Sequence, residues 1–152
     1  MKQVAYFAYG SNMDEEVIEA YCPVYRFAGL ARLDDHRLAF TRRSVRTGTG
    51  VADVVFEHGQ TVWGVLYELE PDGLLALDRK EGNGWAYERQ QCRVHLLADG
   101  SEHEAITYTV LHKDAQDVPP SLAYLERLIV AARRRGLPES YIATLTSTEV
   151  VR

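Results

Sequence analysis

Gln3-Val4-Ala5-Tyr6-Phe7-Ala8-Tyr9-Gly10-Ser11-Asn12 is the stretch on which the fold turns. After Gln3 it is apolar, β-branched and aromatic as far as Tyr9, the composition of a buried strand. It breaks off at Gly10-Ser11-Asn12, a cluster of turn residues. Asp14, Glu15 and Glu16 then precede Val17, Ile18 and Ala20. Acidic residues suit the positive end of a helix, and Asn12 or Asp14 is placed to cap it. The chain thus opens strand, tight loop, short helix. A row of main-chain N–H groups at such a turn can hold an anion, and glycine lets a ligand come close. An ordinary capped turn explains the same residues, and on spacing alone it is the stronger reading.

Downstream the pattern stays β. Val24–Leu30, Leu38–Thr41, Val51–Phe56 and Val62–Leu69 read as strands, with His58-Gly59-Gln60 as a hairpin signal between the last two. Arg42 to Gly50 reads as a mobile polar loop. Pro71-Asp72-Gly73 opens a short helix through Leu74, Leu75 and Leu77 that stops at Gly82. Tyr87–Leu97 and Glu104–Leu111 form a second hairpin around Asp99-Gly100. Pro119-Pro120-Ser121 introduces the longest helix, Ser121 to about Arg135, with Leu122, Leu125, Ile129 and Ala132 on one stripe. Gly136 and Pro138 end it. This order predicts an α+β fold, a small, mostly antiparallel sheet curled or closed into a barrel with flanking helices. Closure would remove the exposed edges of so many strands.

Composition bounds the function. The chain has 152 residues, read here as one domain over residues 1–152. With 46% hydrophobic and 26% charged residues it is not a disordered tail. Lys plus Arg number 17 against 22 for Asp plus Glu, and the net charge of -5 argues against a nucleic-acid binder. No apolar run approaches the ~18 residues of a membrane span, and the N-terminus has no long apolar leader. The expectation is a cytoplasmic protein that engages neither nucleic acid nor membrane. Cys22 and Cys92 make no disulfide framework, and the five histidines show no ligand spacing, so no metal is expected.

Three further groups of residues can carry chemistry. In Leu77-Asp78-Arg79-Lys80-Glu81-Gly82, Asp78 and Glu81 are three apart and share a helix face. They form either an acid/base pair or part of a solvated surface, and the second is the more economical reading. Nine tyrosines, among them Tyr87, Tyr108 and Tyr124, offer apolar walls with hydrogen-bonding tips, or simply core. Arg42, Arg43 and Arg46 are either solvated or placed to meet a substrate carboxylate. Arg133-Arg134-Arg135, in a last helical turn, complements the helix dipole.

Together these pieces resemble one family. Phe7-Ala8-Tyr9-Gly10-Ser11-Asn12-Met13 is similar to the substrate loop of gamma-glutamylcyclotransferases. Val62-Trp63-Gly64-Val65-Leu66-Tyr67 resembles their central strand, and Leu77 to Gly82 followed by Tyr87 resembles their catalytic segment. The resemblance implies a small curled β-barrel with flanking helices. It implies that Glu81 is the general acid/base, and that the backbone of Tyr9, Gly10, Ser11 and Asn12 holds a gamma-glutamyl group. Tyr87, Tyr108 and Tyr124 match positions around the pocket. The reaction it implies cyclises a small gamma-glutamyl substrate to 5-oxoproline with release of an amino acid or amine, with no cofactor. A non-catalytic metabolite-binding module of the same fold is the alternative, against which the presence of Glu81 argues.

Overall fold

Two polar interruptions disguise the two longest strands. In the computed structural model, which describes residues 2–151, the four strands expected between Val24 and Leu69 are two, β2 (Tyr25–Arg43) and β3 (Gly50–Leu69). They pair antiparallel along their length, but Asp34 pairs with Thr61 and His36 with Phe56, so Asp35 alone faces Glu57 to Gln60. Asp35 adopts a φ of 58°, a left-handed conformation that Asp tolerates, and its Oδ1 accepts from the Gly59 N–H at 3.0 Å. His58-Gly59-Gln60 is therefore a bulge inside β3 and not a hairpin turn. The real turn is Ser44 to Thr49, closed by Ser44 N–H to Thr49 O and Gly48 N–H to Ser44 O, both 2.8 Å. Arg43 Nη1 donates to Gly48 O at 2.6 Å. The segment expected as a free loop is thus a hydrogen-bonded turn, with Arg42, Arg43 and Gly50 already in the strands.

The opening strand is β1 (Val4–Ala8), followed by a 3-10 turn (Ser11–Met13) and α1 (Glu15–Tyr21). After β3 come α2 (Pro71–Glu81), β4 (Tyr87–Leu96), β5 (Glu102–Val110), α3 (Leu122–Arg135) and α4 (Glu139–Thr146). The strands close a barrel in the order β1-β3-β2-β4-β5. Every pairing is antiparallel except the closing seam, where β5 meets β1 in parallel through Tyr6 and Ile106. Side chains reinforce that short seam: Thr107 Oγ1 donates to Phe7 O at 2.8 Å, and Tyr9 OH to Tyr108 O at 2.5 Å. Gly64 lets the end of β1 lie tight on β3, since a Cβ there would stand 2.2 Å from Ala8 O.

Tyr6, Phe7, Val65, Leu66, Tyr67 and Tyr108 are buried together, and each helix adds to this core. Ile18 comes from α1, Leu74 and Leu77 from α2, and Tyr141, Ile142 and Leu145 from α4. The buried stripe of α3 is Leu125, Leu128, Ala131 and Ala132, turned from the stripe expected. Leu122, in the first turn, is 42% exposed, and Ile129 lies at the core's edge. Burying a side chain the size of Leu128 stabilises by about 1.5–3 kcal/mol. α4 was not expected; Pro138, which stops α3, stands at the N-cap of α4. Among the described residues no helix is long and apolar enough to cross a membrane.

Candidate functional site

The loop after β1 is held from behind and left open in front. Met13 N–H donates to Gly10 O at 3.0 Å and Asp14 N–H to Ser11 O at 3.2 Å, which makes the 3-10 turn. Asp14, not Asn12, caps α1, its Oδ1 accepting from the Glu16 N–H at 2.8 Å. Among the described residues the N–H groups of Gly10, Ser11 and Asn12 have no acceptor. Asn12 is buried and donates Nδ2 to Tyr6 OH at 2.8 Å, which leaves its Oδ1 buried without a partner. The carbonyl side of the loop is pinned. Tyr67 OH lies 2.9 Å from Asn12 O and 3.1 Å from Met13 O, and Arg135 donates Nε to Met13 O at 2.8 Å. Arg135 also donates Nη2 to Tyr67 OH at 2.9 Å, so it does more than complement the dipole of α3. Glycine at 10 is not demanded by packing, since a Cβ would meet only Ala52 at 3.8 Å.

Glu81 is the last residue of α2, and the way that helix ends fixes it. Pro71 starts the helix, and Gly82 closes it in the left-handed conformation at φ 68°. Asn83 N–H reaches back to Asp78 O at 2.9 Å. Trp85 lies against Gly82 so closely that a Cβ would be 2.6 Å from its ring. The side chain of Glu81 is 19% exposed, and Lys80 Nζ stands 3.2 Å from its Oε2 and 3.3 Å from Ser11 Oγ. Lys80 thereby ties the carboxylate to the loop, and this helix end is not a solvated face. Asp78 does not pair with Glu81. It receives both Nε (2.9 Å) and Nη2 (2.5 Å) of Arg89 and the hydroxyl of Tyr108 (2.6 Å). Burial works to raise the Asp78 carboxyl, but the hydrogen bonds from Arg89 and Tyr108 and the Arg89 charge outweigh it and hold the group below the usual carboxylate range.

Glu81 and the Tyr9–Asn12 loop face one narrow cavity of about 30 Å³, walled by Tyr87, Tyr108 and Tyr124. All eight residues singled out in the sequence therefore line one space. The tyrosine hydroxyls, however, are spent on structure. Tyr9 OH donates across the barrel seam and Tyr108 OH to Asp78. Tyr87 OH donates to Ala52 O at 2.7 Å, and Tyr124 OH accepts from Ala52 N–H at 3.0 Å. Burial pushes the Tyr124 phenol up to about 12, and raises Tyr87, Tyr9 and Tyr108 as well, with nearby Glu81 adding to each. These rings stay neutral and serve as walls.

Several contributing residues escaped the sequence reading. Asp53, next to Ala52, is fully buried and accepts from Thr41 Oγ1 (2.7 Å), Val54 N–H (2.9 Å), Val110 N–H (3.0 Å) and Lys113 Nζ (2.6 Å). It fixes the peptide on which Tyr87 and Tyr124 hang. A lone Asp within the apolar run Val51 to Phe56 was the available signal. Lys80, Trp85 and Arg135 gave none beyond their charge or size. Outside the inner cavity lies a vestibule of about 260 Å³ that shares Ser11, Glu81, Tyr87 and Tyr124 with it. Among the described residues no cluster of His, Cys, Asp or Glu is arranged to hold a metal ion.

The sequence and the fold have relatives. The AIG2-like family model matches residues 61–145. A gamma-glutamylcyclotransferase of Bos taurus is 32% identical over 149 residues, spanning 95% of this chain and 78% of its own length. The gamma-glutamylcyclotransferase of Homo sapiens shows the same identity and coverage. The chain belongs to the gamma-glutamylcyclotransferase family. A solved gamma-glutamyl cyclotransferase superposes with a TM-score of 0.90 at 29% identity, covering 99% of this chain and 90% of that one. The gamma-glutamylcyclotransferases are an enzyme family, and the barrel with its flanking helices is the fold of that family.

Proposed function

We propose that this protein cyclises a gamma-glutamyl amide to 5-oxoproline and releases an amino acid or amine, with Glu81 as the general acid/base. One observation carries the reading: the Glu81 carboxylate and the open face of the Tyr9–Asn12 loop line the same cavity. The unpartnered Asn12 Oδ1 is an acceptor for the substrate's alpha-ammonium. The three free amides of Gly10, Ser11 and Asn12 are donors for the gamma-carbonyl oxygen as it gains negative charge.

The chemistry balances without water or a cofactor, because nucleophile and electrophile belong to one molecule. Glu81 takes a proton from the alpha-ammonium, whose reference pKa is about 8. The freed nitrogen lone pair forms a bond to the gamma-carbonyl carbon and closes a five-membered ring. Glu81 returns that proton to the amide nitrogen, the carbon–nitrogen bond breaks, and the ring nitrogen gives up its second proton to the departing amine, which leaves as an ammonium. Folding the flexible glutamyl chain into attack geometry contributes up to about 7–11 kcal/mol. The tyrosine walls exclude water from the proton transfers. A panel of gamma-glutamyl donors assayed for 5-oxoproline tests the reading. Product from at least one donor is expected; saturable donor binding with no product from any would make the protein a binding module instead.

A further inference from the structure

Successive residues of a helix point about 100° apart, so side chains at i and i+1 do not face each other. Lys80 and Glu81 are such neighbours at the end of α2, yet Lys80 Nζ stands 3.2 Å from Glu81 Oε2. Two contacts from outside the helix draw it there. Ser11 Oγ, 69 positions away in the loop after β1, accepts from the same ammonium at 3.3 Å. The ammonium also lies over the ring of Tyr21, the last residue of α1, 5.7 Å from its centroid. One cation thus joins α1, the loop and α2. Among the described residues its bond to Ser11 is the one hydrogen bond between α2 and the Tyr9–Met13 segment. The chain has 14 arginines and three lysines, and at this crossing the difference counts. A compact ammonium carries three donors that can serve two oxygens and a ring at once, whereas a guanidinium is a planar fork.

We infer that Lys80 is a positioning residue for the cyclisation, holding the Glu81 carboxylate in register with the free amides of Gly10, Ser11 and Asn12. Its role rests on the cyclisation proposed above. Lys80 borders the vestibule but not the inner cavity, so it acts through Glu81 and not on a ligand held between Glu81 and the loop. With Oε2 engaged, the carboxylate is kept from swinging away. Oε1 has no donor among the described residues and is the oxygen left to move protons. The side chain of Lys80 is 18% exposed, so water and salt screen the contact only in part. Misplacing a reacting group by about 1 Å costs on the order of 100-fold in rate, so losing this tie acts on turnover more than on binding.

Three variants assayed with a donor that the wild type turns over test it. Lys80→Met keeps the length of the stem and removes both the charge and the donors. It is expected to lower kcat about tenfold while KM stays within about twofold. Lys80→Gln, polar and easily accommodated at a partly exposed site, is too short to hold both oxygens. It is expected to show the same split and decides the matter should the Met variant fail to fold. Lys80→Arg keeps charge and reach and is expected to recover most of the lost kcat. The melting temperatures of all three should stay within a few degrees of the wild type. A kcat within twofold of the wild type in both neutral variants, or a loss carried by KM, overturns the positioning role and leaves the cyclisation reading standing. Saturable donor binding with no 5-oxoproline from the wild type overturns the cyclisation reading and the positioning role together.

Discussion

Asp53 and Glu81 each face a lysine, and the two pairs stand on opposite sides of Ala52. Asp53 is fully buried and receives four donors, two of them backbone N–H groups. Glu81 is 19% exposed, has Lys80 as its one hydrogen-bond donor among the described residues, and opens on a cavity. Strand alternation sets the difference, turning Ala52 toward the cavity and Asp53 away from it. A carboxylate whose acceptor sites are filled is a structural rivet. One with acceptor sites left over can exchange protons with a ligand. On the proposed reading the same side-chain chemistry does two jobs, decided by how many donors surround it.

The largest effect that would sharpen this contrast is on stability. Asp53→Ala leaves Thr41 Oγ1, Val54 N–H and Val110 N–H without their acceptor. It should cost about 3–5 kcal/mol in denaturant unfolding. Lys113→Ala should cost less, about 1.5–3 kcal/mol, because the buried Asp53 carboxylate loses its counter-charge but keeps three donors. A small loss in Asp53→Ala would break the comparison. Asp78 is an intermediate case, filled by Arg89 and Tyr108 but near the surface. Tyr108→Phe removes a charged hydrogen bond and should cost about 1.5–3 kcal/mol. The folded-state carboxyl of Asp78 is depressed, so its contribution to stability is fully present above the unfolded value of about 3.9. That contribution is lost as the pH falls through the lower, folded value. Asp78→Asn should flatten the acid limb of a melting-temperature profile below about pH 4; an unchanged limb would show that the network is inert. The smallest effect is at Ser121, whose Oγ caps α3 through the Tyr124 N–H. Ser121→Ala should cost about 1 kcal/mol by thermal melting.

What the sequence made legible was local. Gly82 after a leucine-spaced run, Asp99-Gly100 between alternating strands, and Ser121 before α3 each act through their nearest neighbours, and each boundary stands where the chain chemistry puts it. The length of β2 and β3 was hidden because Asp34-Asp35-His36 and Glu57 to Gln60 have the composition of turns. Only the pairing of the two strands reveals them as a bulge. α4 was hidden because Pro138 reads as an end and not as a beginning. The loop and Glu81 could be read from their resemblance to a family. The residues that support them could not. Arg135 reaches Met13 across 122 positions and Lys113 reaches Asp53 across 60, distances over which a sequence carries no spacing rule.

The central claim is that Glu81 moves the protons in the cyclisation and contributes little to holding the fold. Glu81→Gln keeps the shape and removes the base, so the most direct measurement is 5-oxoproline release by this variant from a donor the wild type accepts, beside its melting temperature. The account predicts at least a 100-fold loss of turnover, in line with the ~10²–10⁴ that a general acid/base supplies, with the melting temperature unchanged within a few degrees. Turnover near the wild-type rate, or a variant that fails to fold, would contradict it.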